Sequence, residues 1–300
     1  MMSEAVSETT GKPYGIQRVC RVWERSRSAL YERRTQARRR RSGHPPARRG
    51  PKPKVVDDAL LVAIEADLKR SPFQGEGHRK VHARLRILDD IRVSRKRVLR
   101  VMRENALLSP HRVRQGRAKS HEGKILTLGP NLMWGTDGAR VFTLDDGWVW
   151  IFWAVEHWNA ECVGWHLCKV GSRFAALEPI MQGLEWIYGS TKAEVARGLS
   201  LRMDHGSQYL SDHFQKQIRY WGITPSFGFV EEPETNGVAE RFNRTLKEQA
   251  IHGRVFRNLE EVREAVGRFV EDYNAHWRPE KLGFRTPVEA RREHALGQVT

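Results

Sequence analysis

"LRMDHGSQYL", residues 201–210, sets an apolar lead-in against a carboxylate, a glycine and the start of an amphipathic run. Residues 198–203 read as a short buried strand that closes at Asp204, and "QYLSDHFQKQIRYWG" (208–222) reads as a helix. A carboxylate at the end of a buried strand is costly unless something compensates its charge. A turn or helix cap is one answer; a divalent cation that offsets the burial of several carboxylates is the other.

The surrounding segments extend this strand–helix switch into a sheet. Upstream, "LMWGTDGARVFTL" (132–144) reads as a strand, "DDG" (145–147) as a turn, "WVWIFWAVEHW" (148–158) as a second strand and "ECVGWHLCKV" (161–170) as a third. A helix is expected over about 173–188, a fifth strand in "ITPSFG" (223–228), and two helices near 236–251 and 259–275. Three strands in hairpin connection followed by alternating helix and strand give an α/β domain with a mixed sheet. Cys162 and Cys168, six apart, are expected on one face of the third strand, and the tryptophans of strands two and three in the core.

The first part of the chain has a different composition. Residues 1–120 hold 31 Lys+Arg against 12 Asp+Glu, whereas residues 121–300 hold 21 against 24, for a total formal charge of +16. The basic part is suited to a polyanion, and the remainder is near neutral. Within it, residues 15–34 suit a short amphipathic helical piece. "RRTQARRRRSGHPPARRGPKPK" (33–54), with Arg39, Arg40 and Arg41, reads as an extended, self-repelling linker that touches DNA backbone. Residues 57–108 read as three helices, with Val81, Leu85 and Leu88 inward on the second and Val98, Val101 and Met102 inward on the third. Ser94 is placed to cap that third helix, whose outer face carries Arg95, Lys96, Arg97, Arg100 and Arg103. Such a unit resembles a helix-turn-helix DNA reader.

The expected domains are a basic N-terminal segment and linker (1–56), a helix-turn-helix-like domain (57–108), a linker (109–130), an α/β core (131–251) and a C-terminal helical extension (252–300). Three cysteines without a CxxC pair, no signal-peptide pattern, and a longest apolar run that stops at Glu156 lead to the expectation of a cytoplasmic protein, associated with the nucleoid when bound to DNA, with no membrane partner.

Three carboxylates stand out as candidate metal ligands. Asp137 lies mid-strand among apolar residues, Asp204 ends a strand, and Glu240 lies on the helix "TNGVAERFNRTLKEQ", with 35 residues between it and Asp204. On that helix Asn236, Glu240, Arg244 and Lys247 share a side suited to DNA backbone, while Val238, Phe242 and Leu246 share the side expected to pack on the sheet. Glu156, at the end of the second strand, is the competing candidate carboxylate for the site. His205 and Ser207 lack the G-x-S-x-G elbow of a hydrolase, and His78 and His82 lack a CxxC partner for a zinc site.

"MDHGSQY", "NGVAERFNRTLKEQ" and their spacing resemble the catalytic core of DDE transposases and retroviral-type integrases. More narrowly, the chain resembles the second-frame (orfB-type) product of the IS-three family of insertion sequences. "SRSALYERR", "GHRKVHARLR…VSRKRVLRVMRENAL" and "YNAHWRPEKLGFRTPVEA" resemble its N-terminal, helix-turn-helix-like and C-terminal segments. Differences from the family pattern fall at Ala139, Arg202, Met203 and Glu280, and in the three residues separating Asn274 from Arg278. The resemblance implies an RNase H-like mixed sheet flanked by helices, preceded by the small all-α domain. It implies catalysis and metal binding by Asp137, Asp204 and Glu240, with two Mg²⁺ ions or Mn²⁺ as substitute. The implied partners are double-stranded DNA at element ends and target, further copies of the chain on DNA, and the product of an upstream reading frame. The implied reaction is cleavage at insertion-sequence ends followed by 3′-hydroxyl strand transfer; the alternative weighed against it is a non-catalytic DNA-binding regulator derived from a transposable element.

Overall fold

The structure, a computed structural model, describes residues 4–43, 54–109, 127–228 and 237–297. They fall into two units, Met1–Lys54 and Val55–Thr300. The first contains α1 (Gly15–Val22) and α2 (Arg27–Arg41), with Cys20 buried. Helix α2 corrects the extended reading of residues 33–41. Arg, Ala and Gln are good helix formers, so a run with few apolar residues still winds up with its guanidinium groups in solvent. Arg39, Arg40 and Arg41 are all exposed on it. The remainder of that expected linker, residues 44–53, lies outside the described residues.

The second unit opens with α3 (Asp57–Arg70), α4 (His78–Ile87) and α5 (Arg95–Glu104). Ser94 caps α5 by accepting from the Arg97 N–H at 3.3 Å, as its position predicted. Leu60, Ile64, Val81, Leu85, Val98, Val101 and Met102 close the core of this bundle. Leu88 does not join them: α4 ends at Ile87, and the Leu88 side chain is 49% exposed. Arg84 is buried instead, pairing with Asp67 at 2.8 Å and with Glu76.

The sheet has five strands. β1 (Met133–Thr143), β2 (Gly147–Glu156) and β3 (Cys162–Cys168) form the antiparallel meander, followed by α6 (Arg173–Tyr188) and β4 (Ser200–Met203). Short α7 (Ser207–Leu210), α8 (Asp212–Tyr220) and β5 (Thr224–Phe227) complete it. The single helix expected over 208–222 is broken at Ser211, whose hydroxyl accepts from Phe214 N–H and starts α8 afresh. Strand order is β3-β2-β1-β4-β5, with β4 parallel to β1 and β5 parallel to β4.

A separate core covers each face. Helices α6 and α8 pack Ile180, Leu184, Phe214 and Ile218 with Trp134, Phe152 and Leu201 on one side. On the other lie α9 (Gly237–Leu246), a π-helical turn Lys247–Ile251 and α10 (Leu259–His276), whose Phe242, Leu246, Phe269 and Tyr273 meet Val141, Ile151 and Trp153. A β-bulge at Ala154/Val155 shifts the register of β3. It overturns the expectation that Cys162 and Cys168 share a face, since Cys162 joins the α10 side and Cys168 packs on the α6 side.

The C-terminal pattern "YN…RP…TP" has a structural use. Tyr273 is core, and the Asn274 side-chain amide makes two bonds of 2.9 Å, accepting from Cys162 N–H and donating to Cys162 C=O on the edge strand. Thr286 and Glu289 form a reciprocal cap at the start of α11 (Pro287–Gly297), and Arg278 grips Glu289 with two bonds.

Candidate active site

Asp137 and Asp204 meet because β4 runs parallel beside β1. Met133, Trp134 and Gly135 pair with Ser200, Leu201 and Arg202, so continuing both strands carries Asp137 and Asp204 to the same end of the sheet. Their environments differ. Asp204 lies one residue beyond β4 and is exposed, so the cost of burial expected for it is avoided. Its carboxylate accepts from Gly206 N–H at 2.8 Å, forming a local turn. A Cβ at Gly206 would stand 2.9 Å from the Asp204 carboxylate and 2.7 Å from the Gln208 amide, so a larger residue would make these two side chains move.

Asp137 bears the larger cost. Burial first, and the neighbouring Asp204 charge second among the effects opposing ionisation, push its carboxyl up to about 6. It accepts from Gly138 N–H at 2.7 Å and from Asn243 Nδ2 at 3.3 Å, and no ion pair to it exists among the described residues. Lys247 is near enough to favour its charged form. Tyr209 lies fully buried near the pair, its phenol held protonated by burial and then by the charges of Asp137 and Asp204.

Glu240 is exposed on α9, one turn before Asn243. The structure brings Asp137, Asp204 and Asn243 to one strand end and carries Glu240 on the helix that covers it. Among the described residues, no three acidic, imidazole or thiol groups stand close enough together to hold an ion. Asn243 was missed in the sequence, although its position three residues after Glu240 puts it on the same helix side.

The expected DNA contacts divide into free and occupied side chains. Arg97 bonds Asp57 and the Val55 carbonyl, and Arg100 pairs with Asp57 and Glu104, so these two tie α5 to the start of α3. Arg95, Lys96 and Arg103 face solvent. Arg244 is half-exposed and pairs with Glu248 at 3.1 Å. Asn236 lies outside the described residues. Glu156 is not at this strand end. It pairs across from Trp134 at the start of β1, and its carboxylate accepts from Asn131 N–H, Trp134 Nε1 and Trp158 N–H.

Two family models match the chain: an HTH-like domain over residues 56–115 and an integrase core domain over residues 221–287. The second includes Glu240 and stops short of both aspartates. Among similar curated proteins, the transposase InsD for insertion element IS2A/D/F/H/I/K of Escherichia coli is 28% identical over 252 residues, spanning 81% of this chain and 82% of its own. The transposase InsD for insertion element IS2-9 of Escherichia coli strain K12 is also 28% identical, over 81% and 80%. Among solved structures, the catalytic core domain of BIV integrase aligns with a TM-score of 0.40 at 20% identity, over 57% of this chain and 99% of that one. No helix among the described residues is long and apolar enough to cross a membrane. With matches to an HTH-like domain and then to an integrase core, and InsD transposases aligned along four fifths of its length, the chain is similar in layout to insertion-sequence transposases.

Proposed function

We infer that the chain is a DNA transposase, a polynucleotidyl transferase that cuts at the ends of an insertion sequence and joins the freed 3′-hydroxyl to target DNA. The observation that carries this reading is Asp137, a largely desolvated, partly buried carboxylate beside a second carboxylate with no cationic side chain bonded to it. That arrangement is unfavourable in a resting protein and suits a hard divalent cation, which takes oxygen ligands. The donor set of two aspartates fits such an ion; Glu240 completes it when α9 brings its carboxylate to the strand end. We assign Asp137, Asp204 and Glu240 as ligands of two Mg²⁺ ions, with Mn²⁺ as substitute. Bound there, the ions would activate the attacking oxygen and stabilise the departing one in an in-line displacement.

The chain's own groups supply position and charge. Asn243 fixes the Asp137 carboxylate, the turn at Gly206 fixes that of Asp204, and buried Tyr209 lies beside both with its phenol neutral. Lys247 is placed to meet DNA backbone next to Asp137, with Arg244 one turn earlier on the same helix. Water attacks the scissile phosphorus first and the P–O3′ bond breaks, leaving a 3′-hydroxyl. That hydroxyl then attacks a target phosphodiester and displaces a target 3′-oxygen, so one P–O bond forms for each that breaks. The solvent-facing Arg95, Lys96 and Arg103 of α5 and Arg39, Arg40 and Arg41 of α2 bind phosphates. Work on two ends requires at least two copies on DNA. Nothing in the structure favours a non-catalytic regulator.

The test uses a branched, disintegration-type DNA substrate, which removes the need to know the element's ends. Wild type should join strands in Mg²⁺ or Mn²⁺, and Asp204→Asn should not. Absence of joining, together with no Mn²⁺ binding by calorimetry that depends on Asp137 or Asp204, would sink the catalytic reading.

A further inference from the structure

The helix that carries Glu240 has two sides in use. One packs on the sheet through Phe242 and Leu246, and one faces the strand end through Asn243. Beyond them, the HTH-like domain meets the π-helical turn that continues this helix and the end of α10. In the loop between α3 and α4, Phe73 is only 4% exposed and belongs to the core of the catalytic domain, not to the core of its own helical bundle. Its ring stands edge-on to Trp277 at 4.9 Å, within the aromatic row in which Tyr273 contacts both Trp277 and Phe242.

The next residue makes a two-point bond. Gln74 N–H donates to Gln249 Oε1 at 2.9 Å, and Gln249 Nε2 donates to Gln74 C=O at 3.0 Å. Gln249 belongs to the π-helical turn that continues α9 without a break. Such turns are rare and frequently mark functional positions. Further contacts surround the plug. Lys80 sits over the Trp277 ring and pairs with Glu76 at 3.0 Å, and Arg79 pairs with Glu280 at 2.6 Å. Lys80 also lies close enough to α9 to be repelled by the charge of Arg241.

We propose that the HTH-like domain, besides reading DNA, holds the catalytic helix in place, with Phe73 and Gln249 as positioning residues for Glu240 and Asn243. Neither touches the reacting atoms. Phe73 wedges the aromatic row on which α9 rests, and Gln249 anchors the end of that helix to the loop. A DNA duplex pulling on the helical bundle therefore pulls on the helix that completes the metal site. The inference rests on the proposed transposase reading for its catalytic consequence, and on geometry alone for its structural one.

The experiment compares full-length wild type with Phe73→Ala, Phe73→Leu and Gln249→Ala. Hydrogen–deuterium exchange is followed in peptides covering 237–251, and joining on the branched substrate is titrated with Mn²⁺. Circular dichroism checks the fold, and Gln249→Ala serves if Phe73→Ala does not fold, since it opens no cavity in the aromatic row. Phe73→Ala should raise exchange in 237–251 at least tenfold while β1 to β3 stay protected. It should lower joining about tenfold at saturating Mn²⁺ and raise the half-saturating Mn²⁺ concentration, with binding to plain duplex DNA within twofold of wild type. Phe73→Leu should restore most of the joining, and Gln249→Ala should shift the same readouts about threefold. Unchanged exchange in 237–251 would overturn the proposal. Raised exchange with joining per folded molecule unchanged would overturn the positioning role. Failure of wild type to join would count against the transposase reading alone, because the exchange measurement still decides whether the bundle holds the helix.

Discussion

At the scale of single residues, the Asp137 carboxyl sets the clearest expectation. Its ordinary value is 3.8 and the fold raises it to about 6. Below pH 3.8 folded and unfolded chains are both protonated there, so the stability it contributes is intact. It is lost as pH rises towards 6 and gone above, a cost of roughly 2–3 kcal/mol in the metal-free protein. Asp137→Asn should therefore raise the melting temperature of metal-free protein at pH 7.5 by several degrees while abolishing joining, and should lose the stabilisation that Mn²⁺ gives wild type. A lower melting temperature in thermal denaturation would contradict the buried-charge account. A second contrast lies on α5. Arg97→Ala should cost about 1–3 kcal/mol of stability, since the Val55 carbonyl loses its donor and Asp57 keeps only Arg100. Arg103→Ala should leave stability alone and reduce the slope of log affinity against log salt by about 0.9. Equal effects of the two on melting would show that Arg97 is not structural. Both aspartates were legible in the sequence because each interrupts an apolar run. The pairing of Arg97 with Asp57 was not, because helical periodicity places a side chain on a face without saying which carboxylate, 40 residues away, will meet it.

At the scale of elements, hydrophobic period and turn chemistry revealed most of the sheet. The hairpin at "DDG", α6 and the strand that ends before Asp204 all lie where pattern put them. Two departures have local causes: a capping serine at 211 splits one helix, and an arginine-rich run winds into α2. The bulge in β3 left no mark in the sequence, since one extra residue changes side-chain parity without changing composition. The C-terminal Asn274 is legible only once β3 is seen beside it. Asn274→Ala should cost about 1–3 kcal/mol, because the buried Cys162 amide loses its acceptor and its carbonyl loses its donor. Chemical denaturation would measure this, and an effect too small to resolve would mean that solvent replaces the amide freely.

At the scale of the whole molecule, charge is segregated along the chain, and affinity for DNA should follow that division. Deleting residues 1–54 removes α2 and its exposed guanidinium groups. Fluorescence anisotropy against salt should then show the slope reduced by roughly 3 or more, at about 0.9 for each phosphate no longer neutralised. An unchanged slope would remove α2 from the DNA surface. The sheet also has a border that faces outward. Order β3-β2-β1-β4-β5 leaves β3 at one margin, yet its Cys162 N–H bonds Asn274 of α10 and its Trp165 N–H bonds Gln182 of α6. Helices from opposite faces thus reach round and occupy hydrogen-bonding groups that an unguarded margin would offer to any passing strand. A second copy meeting that rim would find these two groups already taken, which disfavours growth of the sheet by edge-to-edge pairing there.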